Sequence, residues 1–195
     1  VRTACGNEEC PGMYERKVKM PIKKISKKIV YLMRGAPASG KSFAAKRLTG
    51  NTGVICETDS YFGLSGKDYR FNSKKREQAR TQNMKLFVLS VQQGISPVIV
   101  DRGCGKGRRT WWYAKTAQLF GYTIKLAEPT SPWWKSIKKM LQKGSLGINK
   151  DFHKWAQVLF EKQKLTHRVS KRNIVMSMLR YDPTLTIKDI LREGK

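Results

Sequence analysis

The chain has 195 residues, a length that suits one α/β domain able to bury about two-thirds of the surface its unfolded form exposes. Hydrophobic residues make up 39% of the sequence, which excludes an intrinsically disordered chain, and no apolar run reaches the roughly 20 residues of a membrane helix. Forty Lys and Arg against fourteen Asp and Glu give a net charge of +26, and this excess favours an anionic partner such as the phosphate backbone of RNA or DNA over a merely solvated basic surface.

The first 28 residues mix Gly, Pro and charged side chains without a regular period, so residues 1–28 are predicted to form a basic N-terminal arm or linker. Cys5 and Cys10 could supply half of a zinc site, but no second pair completes it. Four unevenly spaced cysteines are typical of a reducing compartment, and we expect an intracellular, cytoplasmic or nuclear, location. No signal pattern follows Val1, so we expect a domain of a longer protein, whose other parts could recruit protein partners.

A phosphate-binding loop follows the first predicted strand. Residues 29–33 form a continuous apolar run, the pattern of a parallel strand covered on both faces, and a helix is predicted from Lys41 to about Leu48. The segment between them fits G-x-x-x-x-G-K-[ST], in which backbone N–H groups surround a phosphate, the Lys reaches the β- and γ-phosphates and the hydroxyl holds Mg²⁺. The sequence therefore predicts binding of ATP and Mg²⁺. The candidate residues are Gly35, Ala36, Pro37, Ala38, Ser39, Gly40, Lys41 and Ser42.

Carboxylates follow two further predicted strands. Residues 54–56 and 97–101 are short apolar runs, separated by a helix predicted over 74–93; Asp59 follows the first run and Asp101 closes the second. The carboxyl ends of parallel strands face the ligand crevice, so we expect both side chains near the nucleotide. Asp101 would contact the metal directly or through water, and Asp59 would accept a proton from an attacking hydroxyl. The alternatives are an Asp that caps a strand or helix and an ordinary loop Asp.

Basic and aromatic residues interleave just beyond Asp101 and into a helix predicted over 110–120, which is followed by a strand predicted over 122–127. Single-stranded nucleic acids are tracked and stacked by this combination of charge and flat rings, so we expect RNA or DNA to bind here. Trp111 and Trp112 are adjacent and cannot share one helix face, so one of them could belong to the core. The candidate residues are Arg102, Lys106, Arg108, Arg109 and Trp111.

Strands alternating with helices predict a doubly wound parallel α/β fold, that of a P-loop NTPase of the kinase type. We assign residues 29–165 to this kinase-like domain, with a helical basic lid at about residues 130–153. Residues 166–195 are predicted to form a basic C-terminal helical extension, whose last helix begins at a capping box of Thr186 and Asp189.

Several short blocks, spanning roughly residues 29–150, resemble the P-loop polynucleotide kinase family in the same order. The resemblance implies transfer of the γ-phosphoryl group of ATP to a polynucleotide 5′-hydroxyl, with Asp59 as the general base. It also implies a basic lid that supports the transferring phosphate. The arginines that the family has in this lid would fall near Lys139 and Lys143. The blocks are residues 32–42, 58–62, 69–72, 94–101, 121–129 and 132–134.

The sequence departs from the family pattern at three places. Ser60 stands where the family has a second Asp, and Arg102-Gly103 stand where it has Thr-Asn. Lys139 and Lys143 would replace lid arginines, which keeps the charge but loses bidentate phosphate recognition. An active kinase and a catalytically degenerate pseudokinase, serving as a nucleic-acid-binding or protein-interaction module, are therefore both considered. A small-metabolite kinase conflicts with the overall charge.

Overall fold

The computed structural model describes residues 27–63, 70–142, 150–164 and 169–193. Its sheet has four parallel strands in the spatial order β2-β3-β1-β4. Val30 of β1 lies opposite Val98 of β3 on one side and Ile124 of β4 on the other, so β1 is central. This topology confirms the predicted parallel α/β fold. The strands are β1 (Ile29–Met33), β2 (Val54–Glu57), β3 (Val98–Asp101) and β4 (Thr123–Ala127).

The helices follow the predicted order, with shifted ends. The helix predicted over 74–93 is preceded by a 3₁₀ turn, Ser73–Lys75, which begins where the Asn72 side chain accepts a hydrogen bond from the Lys74 N–H at 2.9 Å. Another 3₁₀ turn, Asp59–Phe62, follows β2. The α-helices of the described residues are α1 (Lys41–Thr49), α2 (Arg76–Gln92), α3 (Arg108–Leu119), α4 (Pro132–Gln142), α5 (Lys150–Gln163), α6 (Lys171–Leu179) and α7 (Ile187–Arg192).

Helices cover both faces of the sheet, which is why its central strands are apolar apart from Asp101 at the end of β3. On one face, Leu32 of β1 belongs to a buried cluster with Phe87 of α2 and Tyr113 of α3. On the other face, Met33 belongs to a cluster with Ala45 of α1. Successive strand residues point to opposite faces, so both Leu32 and Met33 are fully buried. Covering both faces confirms the double winding, and the P-loop lies at the carboxyl edge of the sheet because it directly follows the end of β1.

A third cluster joins α4, α5 and α6 to the P-loop. Ala36 of the loop lies in it with Trp134 of α4 and with Ile174 and Met178 of α6. The last helix, α7, contributes Ile190 to the first cluster. The described part of the predicted C-terminal extension therefore packs into two of the clusters of the molecule.

The predicted capping box of α7 is confirmed: the Asp189 N–H donates to Thr186 Oγ1 at 3.3 Å, and the Thr186 N–H donates to Asp189 Oδ2 at 2.9 Å.

No helix within the described parts of the chain is long and apolar enough to span a membrane. Most of the predicted N-terminal arm, including Cys5 and Cys10, lies outside the described residues.

Candidate active site

The P-loop connects the end of β1 to the start of α1 through backbone conformations that favour glycine. Gly35 has a φ of +130° and Gly40 a φ of +96°, and between them Ala38 also has a positive φ, of 59°. A Cβ atom added at Gly35 would lie 2.7 Å from Ser39 Oγ, so a side chain there would displace the buried Ser39 hydroxyl. The two motif glycines are thus required by the loop conformation itself.

Lys41 lies across this loop. Its ammonium donates to the carbonyl oxygens of Gly35 at 3.0 Å and Ala36 at 2.7 Å. Burial lowers the pKa of Lys41, while the negative charges of Asp101 and Asp59 oppose that decrease. The loop therefore holds a largely desolvated cation, within the electric field of two carboxylates, at the position where the motif needs one.

The start of α1 suits an anion. Gly40 offers no side-chain cap, and the first turn of α1 contains no acidic residue, so the helix dipole is not neutralised there. Ser39 Oγ is buried without a hydrogen-bond partner among the described residues, and Ser42 is exposed in the first turn. These features fit a phosphate group at the helix N-terminus, with the Ser42 hydroxyl available to a metal ion.

The P-loop opens into a cleft of about 1460 Å³ that also contains the predicted carboxylates. Asp101 ends β3 with only 8% of its surface exposed, whereas Asp59 is exposed at the start of the 3₁₀ turn after β2. Ala36 and Ser39 are buried and do not contribute to the lining. The P-loop residues that line the cleft are Gly35, Pro37, Ala38, Gly40, Lys41 and Ser42.

A third carboxylate, which sequence reasoning missed, lies beside these two. Glu57 ends β2 directly opposite Asp101 in the strand register. Burial raises the pKa of Glu57, and the charges of Asp101 and Asp59 raise it further, while Lys46 lowers it. The available signal was its position at the end of an apolar strand, the same feature that identified Asp101. The carboxyl edge of the sheet thus concentrates negative charge.

We expect Glu57→Gln to raise the melting temperature at neutral pH. Folding raises the pKa of Glu57 above its value in the unfolded chain. Its contribution to stability is fully present below the unfolded pKa and is lost as the pH rises through the folded pKa. At neutral pH the ionised Glu57 therefore opposes folding, and the neutral amide removes the repulsion from Asp59 and Asp101. Thermal melts between pH 4 and 8 should show a gain that shrinks toward low pH.

Glu161→Gln is the matched control. Hydrogen bonding to Lys164 lowers the pKa of the exposed Glu161, so its amide variant should show no gain at neutral pH. A lower melting temperature for Glu57→Gln at neutral pH would mean that attraction to Lys46 outweighs the repulsion, contrary to the burial and charge pattern described here.

The predicted basic segment forms one rim of the cleft. Arg102 lies over the ring of Tyr113, 5.7 Å from its centroid, and Arg109 pairs with Glu77 at 3.2 Å. Trp111 is absent from the described cleft lining, because its half-buried indole packs against the main core, as does that of Trp112. The predicted residues that line the cleft are Arg102, Lys106, Arg108 and Arg109.

The cleft lining also contains Trp133 and Lys162, which were not among the site residues expected from the sequence. Trp133, at the start of α4, donates from Nε1 to the Ala38 carbonyl at 3.0 Å, and Lys162 of α5 lies over its ring, 4.0 Å from the centroid. Both line the cleft. The predicted lid residue Lys139 is exposed on α4 and is not part of the described lining, and Lys143 lies outside the described residues.

A buried arginine ties the P-loop to the C-terminal segment. Arg34, directly before the loop, is 3% exposed and lies 3.6 Å from Glu128. Its guanidinium also lies over the ring of Tyr181, 4.7 Å from the centroid, and donates to the Asp182 carbonyl. Glu128 in turn accepts hydrogen bonds from Tyr181 and from Lys138. This network fixes the loop against residues far away in sequence.

Comparison with known proteins found similarity both in sequence and in fold. No protein-family model matches the chain. Over 126 residues, 63% of this chain, the sequence is 32% identical to NEDD4-binding protein 2 of Homo sapiens, and the match spans 7% of that protein. A chain in the structure of the Pnkp1/Rnl/Hen1 RNA repair complex has the same fold, with a TM-score of 0.52 and 14% identity over 90% of this chain and 49% of the other.

Proposed function

We propose that this chain is an ATP-dependent polynucleotide 5′-hydroxyl kinase domain of the P-loop polynucleotide kinase family, acting on RNA or DNA ends. The observation that carries the proposal is that Lys41 of the P-loop shares one cleft with Asp59 and Asp101. Its similarity in sequence to NEDD4-binding protein 2 and in fold to a chain of an RNA repair complex supports this family.

The P-loop would bind the phosphates of ATP through the N-terminus of α1 and the Lys41 ammonium. Ser42 and Asp101 would hold Mg²⁺, which supplies charge neutralisation on the transferring phosphate. Among the described residues no group of three His, Cys, Asp or Glu side chains fits a metal ion. Two protein oxygens suit Mg²⁺, which commonly keeps several waters and binds substrate phosphates.

The acceptor hydroxyl would enter over Asp59, a carboxylate that is exposed in the cleft and follows the end of β2. Asp59 would take the proton of the 5′-hydroxyl while that oxygen forms a bond to the γ-phosphorus, and the bond from the γ-phosphorus to the bridging oxygen breaks to release ADP. The rim of Arg102, Lys106 and Arg109 would contact phosphates of the acceptor strand, in keeping with the net charge of +26.

A nucleic-acid-binding pseudokinase is the second candidate. Ser60 donates its hydroxyl to the Glu57 carbonyl at 3.1 Å, so a local backbone contact occupies it where the family has a second Asp. Lys139 is exposed on α4 and is not among the described residues that line the cleft, whereas Lys162 of α5 is. Such a protein would use the same cleft for binding without transferring phosphate.

A bisubstrate analogue tests whether the nucleotide and the 5′ end share the cleft. We expect adenosine joined through a tetraphosphate to the 5′ end of an oligonucleotide to bind at least about 100-fold more tightly than the oligonucleotide alone, because the second binding event becomes intramolecular. The same group attached to the 3′ end is the matched control. Equal affinities of the two analogues, measured by calorimetry, would contradict the proposed arrangement of substrates.

A further inference from the structure

A second groove, of about 660 Å³, lies beside the 3₁₀ turn that begins at Asp59. Tyr61, Phe62 and Phe71 line it together with the basic residues Arg70 and Lys75. Its two sides are joined by the Arg70 N–H, which donates to the Phe62 carbonyl at 2.9 Å. The lining of the groove therefore begins at Tyr61, two residues after the proposed general base.

Two aromatic rings of this groove face solvent over a buried one. Phe62 is 8% exposed, and its ring centroid lies 5.1 Å from that of Phe71 and 5.3 Å from that of Tyr61. Phe71 is nevertheless 53% exposed and Tyr61 37% exposed. Exposed aromatic rings that neighbouring side chains hold in place indicate a binding site, because a flat ligand would cover their apolar surface.

The groove carries positive charge and is linked to the basic segment of the cleft through the first turn of α2. Arg70 and Lys75 are its charged lining residues, and no acidic residue is among the described residues that line it. Tyr61 donates its hydroxyl to Gln78 Oε1 at 3.3 Å, and the adjacent Glu77 pairs with Arg109 of the cleft rim. The first turn of α2 thus contacts both the groove and the rim.

We infer that this groove binds the acceptor strand, with an unpaired base stacked on Phe71 and the neighbouring phosphates contacted by Arg70 and Lys75. The inference rests on the proposed function, since it identifies single-stranded RNA or DNA as the occupant. A base presents the π-face that an exposed ring can stack on, and its phosphates match the basic lining. The strand would run from its 5′ end at Asp59 to this groove, so the site favours an unpaired 5′ end over a blunt duplex.

The test is the affinity of Phe71→Ala for single-stranded RNA and DNA oligonucleotides, measured by fluorescence anisotropy without ATP. We expect affinity to fall about 5- to 150-fold, the effect of losing one stacked base. The slope of log affinity against log salt concentration should stay unchanged in Phe71→Ala and flatten by about 0.7 in Lys75→Ala, since Lys75, unlike Phe71, would contact a phosphate. Leu119→Ala, which removes an apolar side chain that is 74% exposed on α3, is the matched control and should bind as the wild type does.

Abasic oligonucleotides make the test specific to stacking. Removing one base near the 5′ end should weaken binding to the wild type but cause no further loss of affinity in Phe71→Ala. Phe71→Trp should again bind the intact oligonucleotide more tightly than the abasic one. If the losses of affinity from the missing base and from Phe71→Ala simply add, the base does not stack on Phe71. Unchanged affinity in Phe71→Ala, or a wild type that binds no single-stranded oligonucleotide, would also overturn the proposal. A peptide or another occupant would then have to be sought for the groove.

The outcome is separable from that of the proposed function. Wild-type affinity in Phe71→Ala together with intact 5′-end phosphorylation would reject the groove and keep the kinase. Phe71-dependent binding without any phosphorylation would reject the kinase and keep the groove. Melting temperatures of the variants show whether each still folds, and Phe71→Tyr provides a milder change at the same ring.

Discussion

Asp59→Asn is expected to lower the rate of 5′-end phosphorylation by about 10² to 10⁴-fold, with the affinities for ATP and oligonucleotide nearly unchanged. The amide keeps the volume and hydrogen-bonding shape of the carboxylate but no longer accepts a proton, and general-base catalysis is typically of this magnitude. Asp59 is exposed in the cleft, so the substitution disturbs no packed core. Single-turnover labelling of 5′-hydroxyl oligonucleotides, with binding measured separately, checks the prediction.

Asp101→Asn is the comparison that separates the two carboxylates. It should weaken turnover in a way that depends on the Mg²⁺ concentration, because its proposed role is at the metal, whereas the defect of Asp59→Asn should not respond to Mg²⁺. Unchanged labelling in Asp59→Asn would retain the enzyme but discard Asp59 as the base. Glu57, the remaining carboxylate of that edge, would then be the next residue to examine.

Lys41→Ala is expected to abolish the ATP-dependent rise in melting temperature. A ligand at 100 times its dissociation constant stabilises the folded state by about 2.7 kcal/mol, which for a chain of this size corresponds to a rise of about 5 to 10 °C. The variant loses the ammonium that lies across the P-loop and the charge that would meet the phosphates. Differential scanning fluorimetry with and without ATP·Mg²⁺ measures the effect.

Lys46→Ala controls for loss of positive charge on the same helix, since Lys46 is exposed on α1 and outside the described cleft lining. It should keep the full nucleotide-dependent rise. Because Lys41 also makes two hydrogen bonds within the loop, the melting temperature of each variant without nucleotide provides its own baseline. An equal rise in Lys41→Ala would show that the nucleotide binds elsewhere.

The parts of the site that the sequence predicted are those encoded by local pattern. An apolar strand followed by a glycine-rich loop and a helix identifies the P-loop without any knowledge of distant contacts. Asp101 and Asp59 could be selected because parallel strands bring their carboxyl ends to one edge of the sheet. Glu57 obeys the same rule, and the strand register that sets it opposite Asp101 became visible only in the structure.

The residues that sequence reasoning missed depend on contacts between distant segments. Trp133 donates a hydrogen bond to the Ala38 carbonyl, although the two residues are 95 positions apart in the sequence. Lys162 of the next helix lies over the Trp133 ring. No periodicity encodes such a contact. Helix phase explains Lys139: Ile137 of α4 is buried, and a residue two positions later lies about 200° further around the helix, so Lys139 faces solvent.

Transfer of label from γ-labelled ATP to oligonucleotide ends is the decisive assay for 5′-hydroxyl kinase activity. We expect the wild-type domain to label 5′-hydroxyl RNA or DNA well above the Lys41→Ala background. Oligonucleotides already phosphorylated at the 5′ end should stay unlabelled, because they lack the hydroxyl from which Asp59 would take a proton. Wild-type labelling that never exceeds the Lys41→Ala background, on RNA and DNA alike, would contradict the kinase and leave the pseudokinase.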